Sequence, residues 1–193
     1  MSQAGLKLNL GSGDKRIDGF VNVDHSPECK PDILLDLEAT PWDFRDDSVT
    51  HVVLHHVLEH LGRTPEAFLA IMQELYRVCR DEAVIEITVP HPFHDNFISD
   101  PTHVRPITAM TLALFDREEN LRWRAAGSAN SPLALQCGVD FRIVEFQNRL
   151  DPPAMAALKQ LEERDLMLAQ AFFNFGRNLI SEMWFTIKVV KPG

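Results

Sequence analysis

Short apolar runs rich in β-branched residues alternate with helix-patterned segments along the first half of the chain: Leu6 to Leu10, Phe20 to Val23, Ile33 to Leu37, His51 to Leu54 and Val84 to Val89. Runs of this length and continuity read as buried strands, and their alternation with helices predicts a parallel α/β sheet. Between the fourth and fifth runs, Phe68, Ile71, Met72, Leu75 and Val78 fall at helical spacing within Pro65 to Val78, with Thr64 as the cap and Pro65 as the first-turn proline. Chain length agrees with one domain, since 193 residues lie within the ~100 to 200 typical of one. With 45% hydrophobic and 24% charged residues and no repeat or long linker, the whole of 1–193 is expected to fold.

After Pro90 the chain is rich in His, Pro and Asp as far as Pro106, which reads as a long loop, and a helix is predicted from Thr108 to Phe115. Two further strands are expected at Phe141 to Phe146 and Glu182 to Val190. Between them Met155, Leu158, Leu161, Leu168, Phe172 and Phe175 suggest one amphipathic helix from Ala154 to Phe175, a helical insertion over about 151–178. It is a candidate lid over an acceptor pocket or a dimerisation element. Phe172, Phe173, Phe175 and Trp184 read as core aromatics.

A net charge of −9 with scattered basic residues argues against binding long nucleic acid. Cys29, Cys79 and Cys137 are too far apart for a Cys-x-x-Cys zinc site and odd in number, so they are expected reduced and buried. Met1 to Gly5 lacks the pattern of a signal peptide, and no run of ~18 apolar residues is present, so the expectation is a cytoplasmic protein with no membrane association.

The motif richest in chemistry is Leu8-Asn9-Leu10-Gly11-Ser12-Gly13 leaving the first strand, followed by Asp24 at the end of the second. Glycines there let a ligand approach the backbone, and a carboxylate on the neighbouring strand can accept from both hydroxyls of a ribose. A dinucleotide fingerprint would need a third glycine at 16, where the chain has Arg16, and a full helix to hold the pyrophosphate. Only Ser12 to Gly19 separates the two strands, too little for that helix, so a phosphate-free nucleoside fits better than a nicotinamide dinucleotide. Asp36, with the Leu37 and Glu38 backbone, can address an adenine edge.

The loop from His91 to His103 leaves the carboxyl end of the fifth strand, where α/β sheets place their substrates. His94, Asp95 and His103 are its candidate catalytic residues. Three readings stay open: a histidine or Asp95 as general base, a divalent metal held by His91, His94, Asp95 and His103, or hydrogen bonds within the loop, with Asp100 capping a turn and Arg105 paired to a carboxylate. No metal is expected. Glu59 and His60 are expected to cap or pack a helix start.

At LNLGSG, DGFVNVDHS, DLEATPWDFRDDSVTHVVLHHVLEHL and DPTHVRPIT the sequence resembles the class I S-adenosylmethionine-dependent methyltransferases, in particular a subset with a short first crossover. The resemblance runs from Leu6 to about Thr108. It implies a Rossmann-like, doubly wound, mostly parallel seven-stranded sheet of order 3-2-1-4-5-7-6 with an antiparallel last strand. It also implies S-adenosyl-L-methionine as cofactor, with Gly11 and Gly13 along the methionine portion, Asp24 on the ribose, Asp36 and Leu37 framing the adenine, and His55 closing the pocket. Leu10, Ser12 and His25 complete the implied cofactor set. Thr50 departs from the pattern, since the subset carries an acid there. The acceptor expected is a small molecule or a saccharide or peptide end, with a homodimer as a further expectation; the alternative is a non-catalytic cofactor-binding or protein-interaction module on the same fold.

Overall fold

Seven strands form one sheet in the order β3-β2-β1-β4-β5-β7-β6. They are β1 (Leu6–Leu10), β2 (Val21–Asp24), β3 (Ile33–Leu34), β4 (Val49–His55), β5 (Cys79–Pro90), β6 (Phe141–Leu150) and β7 (Ile180–Val189). The first five pair in parallel, whereas β7 runs antiparallel to both β5 and β6. The order and the reversed strand are those that the resemblance implies. The computed structural model describes residues 5–175 and 177–192, except for the side chains of 171 and 173–175. Among the described residues no helix is long and apolar enough to cross a membrane.

One face of the sheet is apolar. Leu8, Leu10, Val52, Leu54, Ile85, Ile87, Phe185 and Ile187 lie in a single buried cluster with Phe68, Ile71, Met72, Leu75 and Val78 of helix α1 (Pro65–Val78). The helix has the predicted bounds, and the Thr64 side chain accepts from the Ala67 amide as its cap. Alternate residues of the same strands point the other way and are more polar: His51, Glu86 and Thr88 share that side with Val53 and Trp184. Trp184 is therefore 42% exposed, a correction to its reading as a core aromatic. Phe172 is half-buried, and the side chains of Phe173 and Phe175 lie outside the described residues.

Other departures have local causes. β3 stops at Leu34 instead of Leu37, because Asp36 begins a turn: its Oδ1 accepts from the Glu38 amide at 2.9 Å and its carbonyl from the Ala39 amide at 3.0 Å. The loop after β5 contains a short helix α2 (Asp95–Ile98), followed by α3 (Ala109–Ala113), whose start is fixed by a capping box between Thr108 and Thr111. Helices α4 (Arg117–Ala125) and α5 (Leu133–Cys137) were not legible in the sequence; the buried Asn120 side chain joins them, donating to the Leu114 carbonyl and accepting from the Ala134 amide.

The expected single helix from Ala154 to Phe175 is two, α6 (Pro152–Glu162) and α7 (Leu166–Phe175). Asp151 caps the first, and Asp165 ends the gap by accepting from the Leu168 amide. Met155 and Leu168, expected on a buried face, are 50% and 53% exposed. Of the cysteines only Cys79 is buried, its thiol pushed up to about 12 by burial; Cys29 and Cys137 are half-buried, and all three are free.

Candidate functional site

The short crossover from β1 to β2 is held by side chains instead of a helix. Asn9 donates to the Lys15 carbonyl and to Asn22 Oδ1, both at 2.9 Å, and Asn22 Oδ1 also accepts from the Ile17 amide at 2.8 Å. Asp32 accepts from the Asn22 amide at 2.8 Å and from Arg16 at 2.5 Å, while Arg16 also reaches the Lys30 carbonyl at 2.6 Å. The Asn22 amide and then the Arg16 guanidinium hold the Asp32 carboxyl down at about 2. The residue that excludes a third glycine thus braces the turn. Nothing in the sequence motif signalled this network.

With the turn fixed in this way, the amide of Gly13 donates to Asp24 Oδ2 at 2.8 Å and that of Ser26 to Asp24 Oδ1 at 2.8 Å. Asp24 is 6% exposed, so its carboxylate is oriented by backbone donors and keeps further lone pairs for a ligand. Gly11 has φ +65°, and a Cβ there would stand 2.5 Å from Val57 Cγ2; Gly13 has φ +48°, and a Cβ there would meet no atom within 4 Å. Gly11 is required by packing as well as conformation, and Gly13 leaves open space.

These groups line a cleft of about 460 Å³ at the carboxyl edge of the sheet, together with His25, Leu35, Asp36, Leu37, Val57 and Arg63. Its size is in the range of small-ligand sites. Leu10 and Ser12 flank the glycines and are buried, outside the lining. His25 stands at the mouth, its ring 3.5 Å from Asp24 Oδ1 and largely exposed.

His55 is not on this cleft. It lines a separate cavity of about 110 Å³ with Glu86, Thr88 and Trp184 on the polar face of the sheet, and burial lowers its pKa. His56 lines the glycine-turn cleft instead, because its positive φ of 54° turns the chain at the strand end. Its ring lies between Glu59 Oε1 and Glu182 Oε1, 3.3 Å from each, and Glu59 raises its pKa against the effect of burial.

The three loop candidates are dispersed. His94 caps α2, with Nδ1 accepting from the Asn96 amide at 3.1 Å and Nε2 at 3.5 Å from Asp151. Asp95 is paired with Arg177 at 2.9 Å and accepts from Asn178 at 2.8 Å. Both serve to join the loop to the region around α6 and α7. His103 lies apart from them, with its ring stacked on Phe97 and set edge-on to His60, which lines the cleft. The set of His91, His94, Asp95 and His103 is therefore not brought together as one metal site. Asp100 caps a turn by accepting from the Thr102 amide at 2.8 Å, as expected. Among the described residues Arg105 pairs with no carboxylate; it donates to the Gly62 carbonyl at 2.8 Å and stacks on Phe68.

Among the described residues, none of α6 or α7 lines the cleft beside Asp24; Pro152 and Met155 border a different groove of about 650 Å³ with Arg149 and Trp184.

No protein-family model and no curated protein matches the chain. Solved structures do. An S-adenosylmethionine-dependent methyltransferase from Archaeoglobus fulgidus superposes with a TM-score of 0.59 at 19% identity, over 95% of this chain and 86% of that one. One from Methanosarcina mazei gives 0.54 at 13%, over 100% and 95%. The [4+2]-cyclase SpnF gives 0.51 at 13%, over 97% and 76%. With its strand order and reversed last strand, the chain has the Rossmann-like α/β fold of the S-adenosylmethionine-dependent methyltransferases.

Proposed function

We propose that the chain binds S-adenosyl-L-methionine in the cleft between the glycine turn and Asp24 and transfers its methyl group to a small molecule or to a saccharide or peptide end. The observation that carries this reading is the Asp24 carboxylate, which the Gly13 and Ser26 amides hold at the cleft with acceptor capacity left over. Vicinal ribose hydroxyls are the donors such a group suits, and the bonds are charge-assisted. Gly11 and Gly13 admit the methionine portion, whereas Leu35, Leu37 and Val57 supply apolar walls for the adenine beside Asp36. When bound, the cofactor supplies a methyl group activated on a sulfonium. The chain contributes orientation, which for an in-line displacement is worth ~10⁵ M or more in effective molarity. His94 and Asp95 position the loop, and His103 is the one of the three loop candidates beside the cleft. Self-association as a homodimer belongs to the same proposal.

Supplying methyl-labelled cofactor with pools of small acids, saccharides and short peptides tests the reading. Label in an acceptor together with S-adenosylhomocysteine supports transfer. A second reading, binding without transfer, is favoured by the likeness to a [4+2]-cyclase on this fold and by the structural roles of His94 and Asp95. Saturable cofactor binding with no labelled product in any pool would favour it.

A further inference from the structure

Glu59 sits in the 3-10 turn Leu58–His60 after β4 with no exposed surface, and among the described residues neither carboxylate oxygen has a hydrogen-bond partner. A buried carboxylate in that condition is strongly unfavourable unless a cation compensates it. The nearby cations do so only in part. His56 Nδ1 is an ion-pair partner 3.3 Å from Oε1, but it is shared with Glu182 and gives Glu59 no hydrogen bond. Arg105 gives Nη2 to the Gly62 carbonyl and lies over Phe68, and its buried Nε makes no hydrogen bond to Glu59.

His60 and His103 are the other neighbours: donor atoms of Glu59, His60 and His103, one from each, all lie within 4.8 Å of one another. We propose that these three residues form a divalent transition-metal site at the wall of the cleft. Bonds of ~2.0–2.2 Å to one ion place ligand atoms ~3.4 Å apart, so side-chain adjustments of about an ångström close the site.

Hydrogen bonds prepare both imidazoles. His103 Nδ1 is 2.8 Å from the Phe97 carbonyl, which can only accept, so Nδ1 carries a proton and, in the neutral imidazole, Nε2 keeps its lone pair, with Asp100 Oδ2 3.8 Å away. His60 Nδ1 is 3.0 Å from Thr102 Oγ1, and that hydroxyl donates its proton to Asp100 at 2.6 Å, so His60 also keeps its lone pair on Nε2. Outer partners that fix the tautomer in this way are what metal-bound histidines use. The turn and the loop are themselves tied, since the Val104 amide donates to the Glu59 carbonyl at 2.9 Å and the Arg105 amide to the same atom at 3.3 Å.

Two nitrogens and one carboxylate suit Zn²⁺, Co²⁺ or Fe²⁺ better than Mg²⁺ or Ca²⁺. Because His60 and Thr102 line the cleft, the remaining coordination positions are available to a ligand entering it.

The test needs no methyl donor and stands apart from the proposed activity. Chelator-stripped protein is dialysed against Zn²⁺ and its metal content counted, and Co²⁺ is titrated while its visible absorption is followed. The expected result is one ion per chain, with affinity lowered in His103→Ala and Glu59→Gln by more than the ~10–100-fold that loss of an outer partner costs. His91→Ala, in the same loop outside the cluster, should bind as the parent does. His60→Ala replaces Glu59→Gln if the latter does not fold. Absence of stoichiometric Zn²⁺ and Co²⁺ binding, or equal binding by His103→Ala and the parent, would overturn the proposal.

Discussion

The backbone amide of Gly13 donates to Asp24 Oδ2 at 2.8 Å, which makes the glycine turn after β1 and the acid ending β2 one unit. Removing the carboxylate therefore disturbs the turn as well as the cleft. Asp24→Ala leaves the Gly13 and Ser26 amides without their partner and should lower stability by about 1–3 kcal/mol, read as a lower urea midpoint. An unchanged midpoint would mean that water replaces the carboxylate at no cost.

The two cleft glycines should separate under substitution. Gly11→Ala combines a left-handed backbone with a Cβ 2.5 Å from Val57, and should cost about 2–4 kcal/mol. Trimming the neighbour in Gly11→Ala/Val57→Ala should restore part of that loss. Gly13→Ala meets no atom and should cost about 1–2 kcal/mol from conformation alone, while weakening cofactor binding because its methyl group enters the cleft. Paired thermal melts and titrations distinguish the two.

Stability should fall with acid in a window set by Asp32. Its carboxyl titrates at about 2 in the native protein, below its unfolded value near 4, so the native state binds fewer protons there. This contribution is complete above about pH 4 and is lost as pH falls toward about 2. Asp32→Asn should flatten the stability profile across that window, as measured by denaturant midpoints at stepped pH; a profile of unchanged slope would count against the bracing role.

Beneath the sheet edge, buried Glu74 accepts from the Trp42 amide at 2.6 Å and pairs with Arg77, which also donates to the Phe44 and Trp42 carbonyls at 2.9 and 3.0 Å. Arg77→Ala strands the Glu74 charge and should cost about 2–3 kcal/mol. Replacing Glu74 by Gln in the Arg77→Ala background should recover some of that loss, because no buried charge then remains. The comparison is a double-mutant cycle by chemical denaturation.

Much of this architecture was legible because burial leaves a period in the sequence. The runs around Leu8, Val23, Val52 and Ile85 and the helix carrying Phe68 to Val78 bury one face each, and their order alone implies the parallel sheet. Gly11, Gly13 and Asp24 were legible because a turn, an open approach and a strand-end acid are each written in one residue. What failed depended on contacts between distant segments. The neighbours His55 and His56 differ only in which side of β4 they leave, a matter decided by one positive φ. Asn9, Arg16, Asn22 and Asp32 read singly as polar residues, yet together they replace a helix. His60 and His103 meet although helix α1 and strand β5 separate them in the chain, a proximity no local spacing reports, while Met155 and Leu168 show a helical period that the fold does not bury.

Calorimetric titration of the parent chain and Asp24→Asn with S-adenosylmethionine and S-adenosylhomocysteine tests the central claim most directly. The Asn variant keeps the shape of the side chain and removes its charge. Saturable binding to the parent, weakened in the variant by ~10–150-fold as expected for loss of charge-assisted hydrogen bonds worth ~1.5–3 kcal/mol, is the predicted result. Absence of binding to either ligand, or equal affinity in parent and variant, would contradict it.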